Sequence, residues 1–290
     1  MFSFSYLWQK LFAVLFRYLM RRELVVNPND VLQIQSRDAE RTIKAHLYRS
    51  TSAPTPAPVL LNFHGSGFIL PQHGSDEEFC QKVSRETPYT VLDIQYRLAP
   101  ENPFPAALND VEDAVNWVLE RPSDFDLSRV AISGFSAGGN LALGASSTLF
   151  ARETFRSVLA FYPVLDLHTE PAKKTFPDPE GKPIPPLVAR IFNSCYIPSS
   201  VDARDPRISP YYAQAERFPD NILVVTAGGD SLAGEAEELA AKIEQEPGRH
   251  VVCQRMRGCN HGWDKRAAAG TVQGDAKEKA YEMAISMLAR

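Results

Sequence analysis

The segment Gly134-Phe135-Ser136-Ala137-Gly138-Gly139 is the strongest indicator of the fold in this chain. It follows a strand-like run at residues 129–132 and precedes a helix-prone run at residues 140–143, so that Ser136 lies on a tight turn between a strand and a helix. Glycines lie on both sides of the serine because the backbone there is strained and a neighbouring turn of chain passes too close for side chains. This pattern is typical of a nucleophile elbow, which presents a serine hydroxyl for chemistry.

The sequence on both sides of the elbow supplies the other groups that such a serine needs. An apolar strand at residues 59–63 runs into His64-Gly65-Ser66-Gly67, which matches an HGGG-type oxyanion loop except that Ser66 replaces the middle glycine. A second buried strand ends in Asp230, and His261 lies in a loop after a later strand. The chain order is therefore serine, acid, histidine, as expected of an α/β-hydrolase.

Strand and helix patterns alternate along most of the chain, which predicts a mostly parallel sheet of eight strands covered by helices on both faces. The strands are predicted at residues 30–35, 42–48, 59–63, 90–96, 129–133, 157–162, 221–227 and 251–256. The helices are predicted at residues 75–86, 106–120, 137–149, 233–245 and 275–288. We expect residues 1–290 to form one domain.

Two segments break this rhythm and predict a cap over the sheet. Residues 168–218 are rich in proline, carry one helical pattern at 187–195 and are inserted between the elbow and Asp230. A long irregular segment in a compact domain is usually functional, so we expect it, with residues 1–28, to cover the site. A surface insertion without function is the alternative.

The apolar stretch from Phe2 to Met20 allows two interpretations. Lys10 and Arg17 interrupt it, and charged residues follow it where a signal-peptide cleavage site would lie, so neither a membrane span nor a signal peptide is predicted. We favour a helix packed against the body of the protein. The alternative is an interfacial helix that touches a membrane or a lipidic substrate.

Composition excludes several functional classes. The net charge is −4 and there is no basic block, so nucleic acid is not an expected partner. The four cysteines are scattered, which predicts no metal site and no disulfide framework and favours a reducing, cytoplasmic location. The sequence leaves the oligomeric state open.

Two longer segments extend the pattern to a family. Residues 96–107 read YRLAPENPFPAA and residues 205–210 read DPRISP. With the elbow, the oxyanion loop and the segments at Asp230 and His261, they resemble the hormone-sensitive-lipase-like family of α/β-hydrolases, which includes carboxylesterases and arylacetamide deacetylases. The resemblance covers residues 59–264. The chain departs from the family pattern at Phe135, at Ser66 and at residues 233–235.

A catalytic triad follows from these residues. Ser136 is the expected nucleophile, His261 the expected general base, and Asp230 the expected group that orients the imidazole. Three other carboxylates are alternatives to Asp230: Asp166, Asp205 and Glu235. The DPR-x-SP setting of Asp205 instead predicts a turn in which its carboxylate accepts nearby backbone N–H groups.

The oxyanion of a tetrahedral intermediate needs fixed donors, and the backbone N–H groups of Ser66, Gly67 and Ala137 are the candidates. His64 and Gly65 are expected to support this loop. Ser66 is either a tolerated small substitution or a change in the donor set that alters the preferred substrate. Six aromatic side chains are candidate walls of an apolar pocket: Phe68, Phe135, Phe192, Tyr196, Tyr211 and Tyr212.

Together the residues and the resemblance predict a serine carboxylesterase that forms an acyl-enzyme from small to medium, apolar esters. The resemblance implies short acyl chains, and the chemistry requires no cofactor. The alternatives are an acyl transferase or a dehydratase-type enzyme acting on a natural product, and a non-catalytic small-molecule receptor like the gibberellin receptors that resemble this family.

Overall fold

The centre of the computed structural model, which describes residues 4–21 and 23–290, is an eight-stranded sheet. Its strands are β1 (Asp30–Gln35), β2 (Thr42–Tyr48), β3 (Ala57–Phe63), β4 (Thr90–Ile94), β5 (Phe125–Phe135), β6 (Ser157–Phe161), β7 (Asn221–Ala227) and β8 (His250–Met256). They lie in the order β1-β2-β4-β3-β5-β6-β7-β8. Only the pairings of β2 with β1 and with β4 are antiparallel. The predicted mostly parallel sheet is confirmed.

Seven α-helices accompany the sheet in the described part of the chain. They are α1 (Phe4–Leu19), α2 (Glu77–Glu86), α3 (Ala106–Leu119), α4 (Ala137–Thr148), α5 (Pro186–Tyr196), α6 (Ala233–Glu244) and α7 (Val272–Leu288). Side chains that alternate along a strand point to opposite faces of the sheet. Leu61 of β3 accordingly packs in the cluster that contains buried residues of α3, α4 and α6, whereas Leu60 packs in the cluster that contains those of α2 and α7. The sheet is therefore buried on both faces.

The predicted element boundaries hold to within a few residues, and the two largest differences have local causes. β5 begins at Phe125 rather than 129, because its first residue pairs with Ala57 across an irregularity in the β3–β5 register. α7 begins at Val272 rather than 275, because the Thr271 side chain accepts a hydrogen bond from the Gly274 N–H at 3.0 Å and caps the helix.

The two segments that break the strand and helix rhythm pack against each other. The rings of Phe16 in α1 and Phe192 in α5 meet edge to face at 5.3 Å, and Gln9 Nε2 donates to the Ser194 carbonyl at 2.7 Å. Residues 1–3 and 22 of the predicted cap, and Phe2 of the apolar stretch, lie outside the described residues. A cap made of these segments remains a prediction. Among the described residues, no helix has the length and apolarity needed to cross a bilayer.

Candidate active site

Ser136 lies between the last residue of β5 and the first residue of α4, as its sequence pattern predicts. Its φ of 53° and ψ of −115° fall outside the favoured regions for a residue with a side chain, which is the strain expected of an elbow. The Ser136 N–H donates to the Phe161 carbonyl at the end of β6 at 2.8 Å. This hydrogen bond fixes the turn to the neighbouring strand.

Three side chains form a hydrogen-bonded series at the carboxyl edge of the sheet. His261 Nε2 lies 2.8 Å from Ser136 Oγ, and His261 Nδ1 lies 2.6 Å from Asp230 Oδ2. Asp230 follows β7, is 1% exposed, and accepts the Leu232 N–H at 3.1 Å on its other oxygen. With its ring proton on Nδ1, His261 donates to the carboxylate and presents a free lone pair to the serine hydroxyl.

The three alternative carboxylates are held by other groups. Asp205 accepts the Arg207 backbone N–H at 2.9 Å and pairs with the Arg207 guanidinium, which lowers the pKa of Asp205. Glu235 accepts the N–H groups of Leu165 and Asp166 and pairs with Lys174. Asp166 accepts the N–H groups of residues 168 and 169 on one carboxylate oxygen.

The oxyanion loop is fixed by a phenol behind it. Tyr96 OH donates to the His64 carbonyl at 2.6 Å, so Ser66 Oγ, also 2.6 Å away, donates to Tyr96. The same Ser66 oxygen accepts the Phe68 N–H at 2.8 Å. The hydroxyl that replaces a glycine is therefore used to hold the loop, and the loop's backbone N–H groups are left as the candidate oxyanion donors. The first N–H groups of α4, starting at Ala137, have no partner within the helix.

His64 supports this loop as an uncharged ring. Burial lowers its pKa to about 4, and its Nδ1–H donates to the Gly65 carbonyl at 3.2 Å. The imidazole stacks on the Tyr96 ring with centroids 4.4 Å apart. A neutral, buried imidazole that is hydrogen-bonded and stacked in this way is suited to shaping the loop rather than to exchanging protons with substrate.

A cavity of about 340 Å³ adjoins Ser136 and His261. Much of its wall is apolar. Met20, Ile184 and Phe192 come from the two segments of the predicted cap, and Leu70 comes from the chain that follows the oxyanion loop. Gly67 has a φ of +55°, and a Cβ there would lie 2.2 Å from the Phe192 ring, so this ring rests directly on the oxyanion loop. A larger residue at that position would be strained by the positive φ and would have to displace the Phe192 ring.

Of the six aromatic side chains predicted as pocket walls, Phe192 lines this cavity within the described residues. Phe68 and Tyr196 are buried and stack on each other with centroids 3.7 Å apart. Tyr211 and Tyr212 meet edge to face. The Tyr211 hydroxyl contacts Glu238, and the Tyr212 hydroxyl contacts Asp166.

Phe135, the residue before Ser136, is fully buried and stacks on Phe161 at 4.4 Å. The Lys265 ammonium lies 3.5 Å from the centroid of the Phe135 ring. A cation over an aromatic face is stabilised by the ring quadrupole. Phe135, at which the chain departs from the family pattern, therefore packs in the core and stabilises the buried ammonium group of Lys265.

Sequence reasoning missed a polar network beneath His261. Tyr162 follows β6, packs edge to face on the His261 ring at 4.9 Å, and donates its hydroxyl proton to Asp264 at 2.6 Å. Lys265 Nζ lies 2.8 Å from carboxylate oxygens of both Asp264 and Asp76. Burial acts to lower the pKa of Lys265, but these two carboxylates raise it overall. The position of Tyr162 at the carboxyl end of a strand was the available signal.

The 168–218 segment is attached to the loops that carry the acid and the histidine. The Asp178 N–H donates to the Gly228 carbonyl at 2.8 Å, and Asp178 Oδ2 accepts the Gly258 N–H at 2.8 Å. The Lys182 N–H donates to Asn260 Oδ1 at 2.7 Å, next to His261. These contacts place the segment against the site without supplying a member of the hydrogen-bonded series.

One group of side chains in the described residues could offer three metal ligands. Atoms of His46, His73 and Asp93 lie within 4.8 Å of one another. His73 Nε2 already donates to the Asp93 carbonyl at 2.9 Å, and Asp93 accepts the Asn62 amide at 2.9 Å. These bonds give two of the three groups a structural role, and the expectation of a metal-free protein remains a prediction.

Comparison with known proteins places this geometry in context. A family profile described as alpha/beta hydrolase fold matches residues 60–265. The carboxylic ester hydrolase LipN of Mycobacterium tuberculosis (strain ATCC 25618 / H37Rv) is 33% identical over 233 residues, covering 76% of this chain and 61% of LipN. The AB hydrolase superfamily protein C1039.03 of Schizosaccharomyces pombe (strain 972 / ATCC 24843) is 29% identical over 215 residues, covering 70% of this chain and 62% of that protein.

A solved structure is similar over almost the whole length of this chain. The carboxylesterase EstE1, cloned from a metagenomic library, superposes with a TM-score of 0.78 at 26% identity, over 99% of this chain and 98% of EstE1. The match to both curated relatives spans less than two thirds of their length.

Proposed function

The chain belongs to the alpha/beta hydrolase family, of the hormone-sensitive-lipase-like type, and on that premise we propose that it is a serine carboxylesterase acting on small to medium, apolar carboxylic esters. The observation that carries the proposal is the hydrogen-bonded series from Asp230 through His261 to Ser136, which ends on a strained elbow beside a loop of backbone donors. These are the parts that acyl transfer through a serine requires.

In the proposed reaction, Ser136 Oγ attacks the ester carbonyl carbon while His261 Nε2 takes the hydroxyl proton. Asp230 keeps the imidazole in one tautomer and stabilises the imidazolium that forms. The carbonyl oxygen becomes negative and is stabilised by the N–H groups of Gly67 and Ala137 together with the N-terminal dipole of α4.

The tetrahedral intermediate then collapses. The bond to the alcohol oxygen breaks, His261 returns its proton to that oxygen, and an acyl group remains on Ser136. A water molecule gives its proton to His261 and attacks the acyl carbon, and the imidazolium then protonates Ser136 Oγ as the free acid leaves. Atoms and charge balance without a cofactor.

The cavity supports an apolar substrate of limited size. Its volume of about 340 Å³ lies near the lower end of typical ligand pockets, and its apolar wall would remove acyl or alcohol carbons from water. The Phe192 ring, which lines the cavity and rests on Gly67, limits the space beside this loop. Short acyl chains are therefore the preferred class.

Hydrolysis of p-nitrophenyl esters from acetyl to dodecanoyl tests the proposal, with the Ser136→Ala variant as control. We expect release that depends on Ser136 and declines with chain length. The acid should be recovered in full as free carboxylate even when a second alcohol is supplied, which separates hydrolysis from acyl transfer. Equal release by Ser136→Ala, or no release from any ester, would reject the proposal.

A further inference from the structure

Helix α1 presents a continuous apolar face to solvent. Seven of its large apolar side chains are each more than half exposed: Leu7, Trp8, Leu11, Val14, Leu15, Tyr18 and Leu19. Their spacing of three and four residues places them on one side of the helix. Exposed apolar residues scattered singly are ordinary, but a contiguous patch of this kind marks an interaction surface.

The opposite face fixes α1 to the protein. Ala13 is fully buried, and Phe12 and Phe16 pack against the core. Arg17 donates to the Ile69 and Ala99 carbonyls at 2.8 Å. The exposed face is therefore held in one orientation and is not the side of a loosely attached helix.

The charges beside this face identify what it would contact. Between residues 4 and 21 there is no acidic residue, the exposed Lys10 lies on the helix beside the apolar face, and the exposed Arg21 follows two residues after the helix ends. Glu23 is the first acidic residue after the helix, and the whole chain carries a net charge of −4. A basic edge on an apolar helix face, in an otherwise acidic protein, complements the surface of an anionic bilayer.

The position of α1 connects this face to the cavity. Met20, immediately after the helix, is part of the cavity wall, and Phe16 packs on Phe192, which rests on the oxyanion loop. A bilayer in contact with α1 would thus lie next to the element that covers Ser136. Esters that partition into lipid would be concentrated where they can enter.

We propose that the outward face of α1 docks on the surface of an anionic lipid bilayer and that the enzyme takes esters which partition into that bilayer. The docking stands on the surface of α1 alone, whereas the choice of substrate rests on the proposed esterase function. The helix lies in the interface with its apolar face among the acyl chains and Lys10 and Arg21 among the headgroups.

Co-sedimentation with vesicles tests the docking. The full chain is mixed with vesicles of phosphatidylcholine alone or with added phosphatidylserine. We expect binding that is stronger with phosphatidylserine and that weakens as salt is raised. The double variant Leu11→Gln with Leu15→Gln should bind about 100-fold more weakly, because each leucine withdrawn from lipid costs about a factor of ten.

Two further variants make the result specific. Leu127→Gln with Val272→Gln removes two exposed apolar side chains elsewhere and should bind vesicles like the wild type. Lys10→Gln with Arg21→Gln should lose the preference for phosphatidylserine. Circular dichroism and hydrolysis of p-nitrophenyl acetate in the Leu11 and Leu15 variant should match the wild type, which shows that it is folded.

Failure of the docking is distinguishable from failure of the proposed function. A wild-type protein that does not sediment with vesicles, or a Leu11 and Leu15 variant that binds as tightly as the wild type, overturns the proposal even if esters are hydrolysed. A wild-type dimer that becomes a monomer in that variant, without vesicle binding, would assign the face to a second copy. Vesicle binding without hydrolysis of any ester would leave the docking intact and reject the esterase.

Discussion

Gly138, two residues after the nucleophile, lies where α4 comes closest to β3 and the oxyanion loop. A Cβ at this position would lie 1.9 Å from the Phe63 carbonyl oxygen and 2.8 Å from the His64 carbonyl oxygen. Both atoms belong to backbone, so no side chain can rotate to make room. Gly138→Ala must therefore move the elbow and the oxyanion loop apart.

The size of the effect follows from these distances. Relieving a contact of 1.9 Å to even 3.0 Å requires a displacement of about 1.1 Å. Overpacking of this kind costs about 1–3 kcal/mol, and the better helix propensity of alanine returns up to about 1 kcal/mol. A net loss of roughly 1–2 kcal/mol lowers Tm by roughly 2–8 °C. A misplacement of about 1 Å between Ser136 and its oxyanion donors should lower kcat by about 100-fold.

Gly144→Ala, in the same helix, is the matched control. The nearest atom to its Cβ would be the Arg207 carbonyl oxygen at 3.5 Å, an ordinary contact. This variant should be as stable as the wild type or more stable by up to about 1 kcal/mol. Thermal unfolding by circular dichroism and turnover of p-nitrophenyl acetate are measured for both variants. A Gly138→Ala protein with the Tm and kcat of Gly144→Ala would show that the backbone contacts of Gly138 do not constrain the elbow.

Three further predictions concern polar groups. Asp230→Asn should lower kcat by about four powers of ten while leaving Tm within a few degrees, because the imidazole is no longer held in one tautomer. Near-normal turnover in a p-nitrophenyl ester assay would remove Asp230 from the triad. Tyr96→Phe leaves the Ser66 hydroxyl and the His64 carbonyl without their partner, so kcat should fall about tenfold with little change in KM. An unchanged kcat would show that the phenol does not hold the loop. Burial, with the nearby Asp76 carboxylate, raises the pKa of Asp93 to about 8, so the folded protein keeps a proton that the unfolded chain loses above about pH 4. Stability should therefore fall as pH rises from about 4 to 8, and Asp93→Asn should remove that part of the decline; parallel Tm curves for the two proteins would contradict this.

The sequence could locate the three members of the series because each follows a strand of the sheet. The carboxyl ends of parallel strands meet at one edge of a sheet, so Ser136 after β5, Asp230 after β7 and His261 after β8 are brought together by the topology alone. The glycines around Ser136 and the turn sequence around Asp205 can likewise be recognised from the local sequence. Local patterns therefore predicted the fold and placed the reactive groups on it.

The surroundings of the series depend on contacts between distant residues, and no local pattern records them. Tyr162 and Asp264 are 102 positions apart, and the Asp76 carboxylate reaches Lys265 from α2's side of the sheet. Composition could likewise not distinguish Phe192, which lines the cavity, from Phe68, which stacks on Tyr196 in the interior. The contact of the Ser66 hydroxyl with Tyr96, 30 positions further along the chain, is another that no local pattern records.

In the proposed reaction, Ser136 carries the acyl group between acylation and deacylation. This step is tested by the intact mass of the protein, quenched in acid shortly after mixing with p-nitrophenyl trimethylacetate, whose hindered acyl group leaves slowly. We expect a mass increase of one acyl group, on the peptide that contains Ser136, and none in the Ser136→Ala protein. Release of p-nitrophenol without any adduct, or an adduct on another residue, would contradict it.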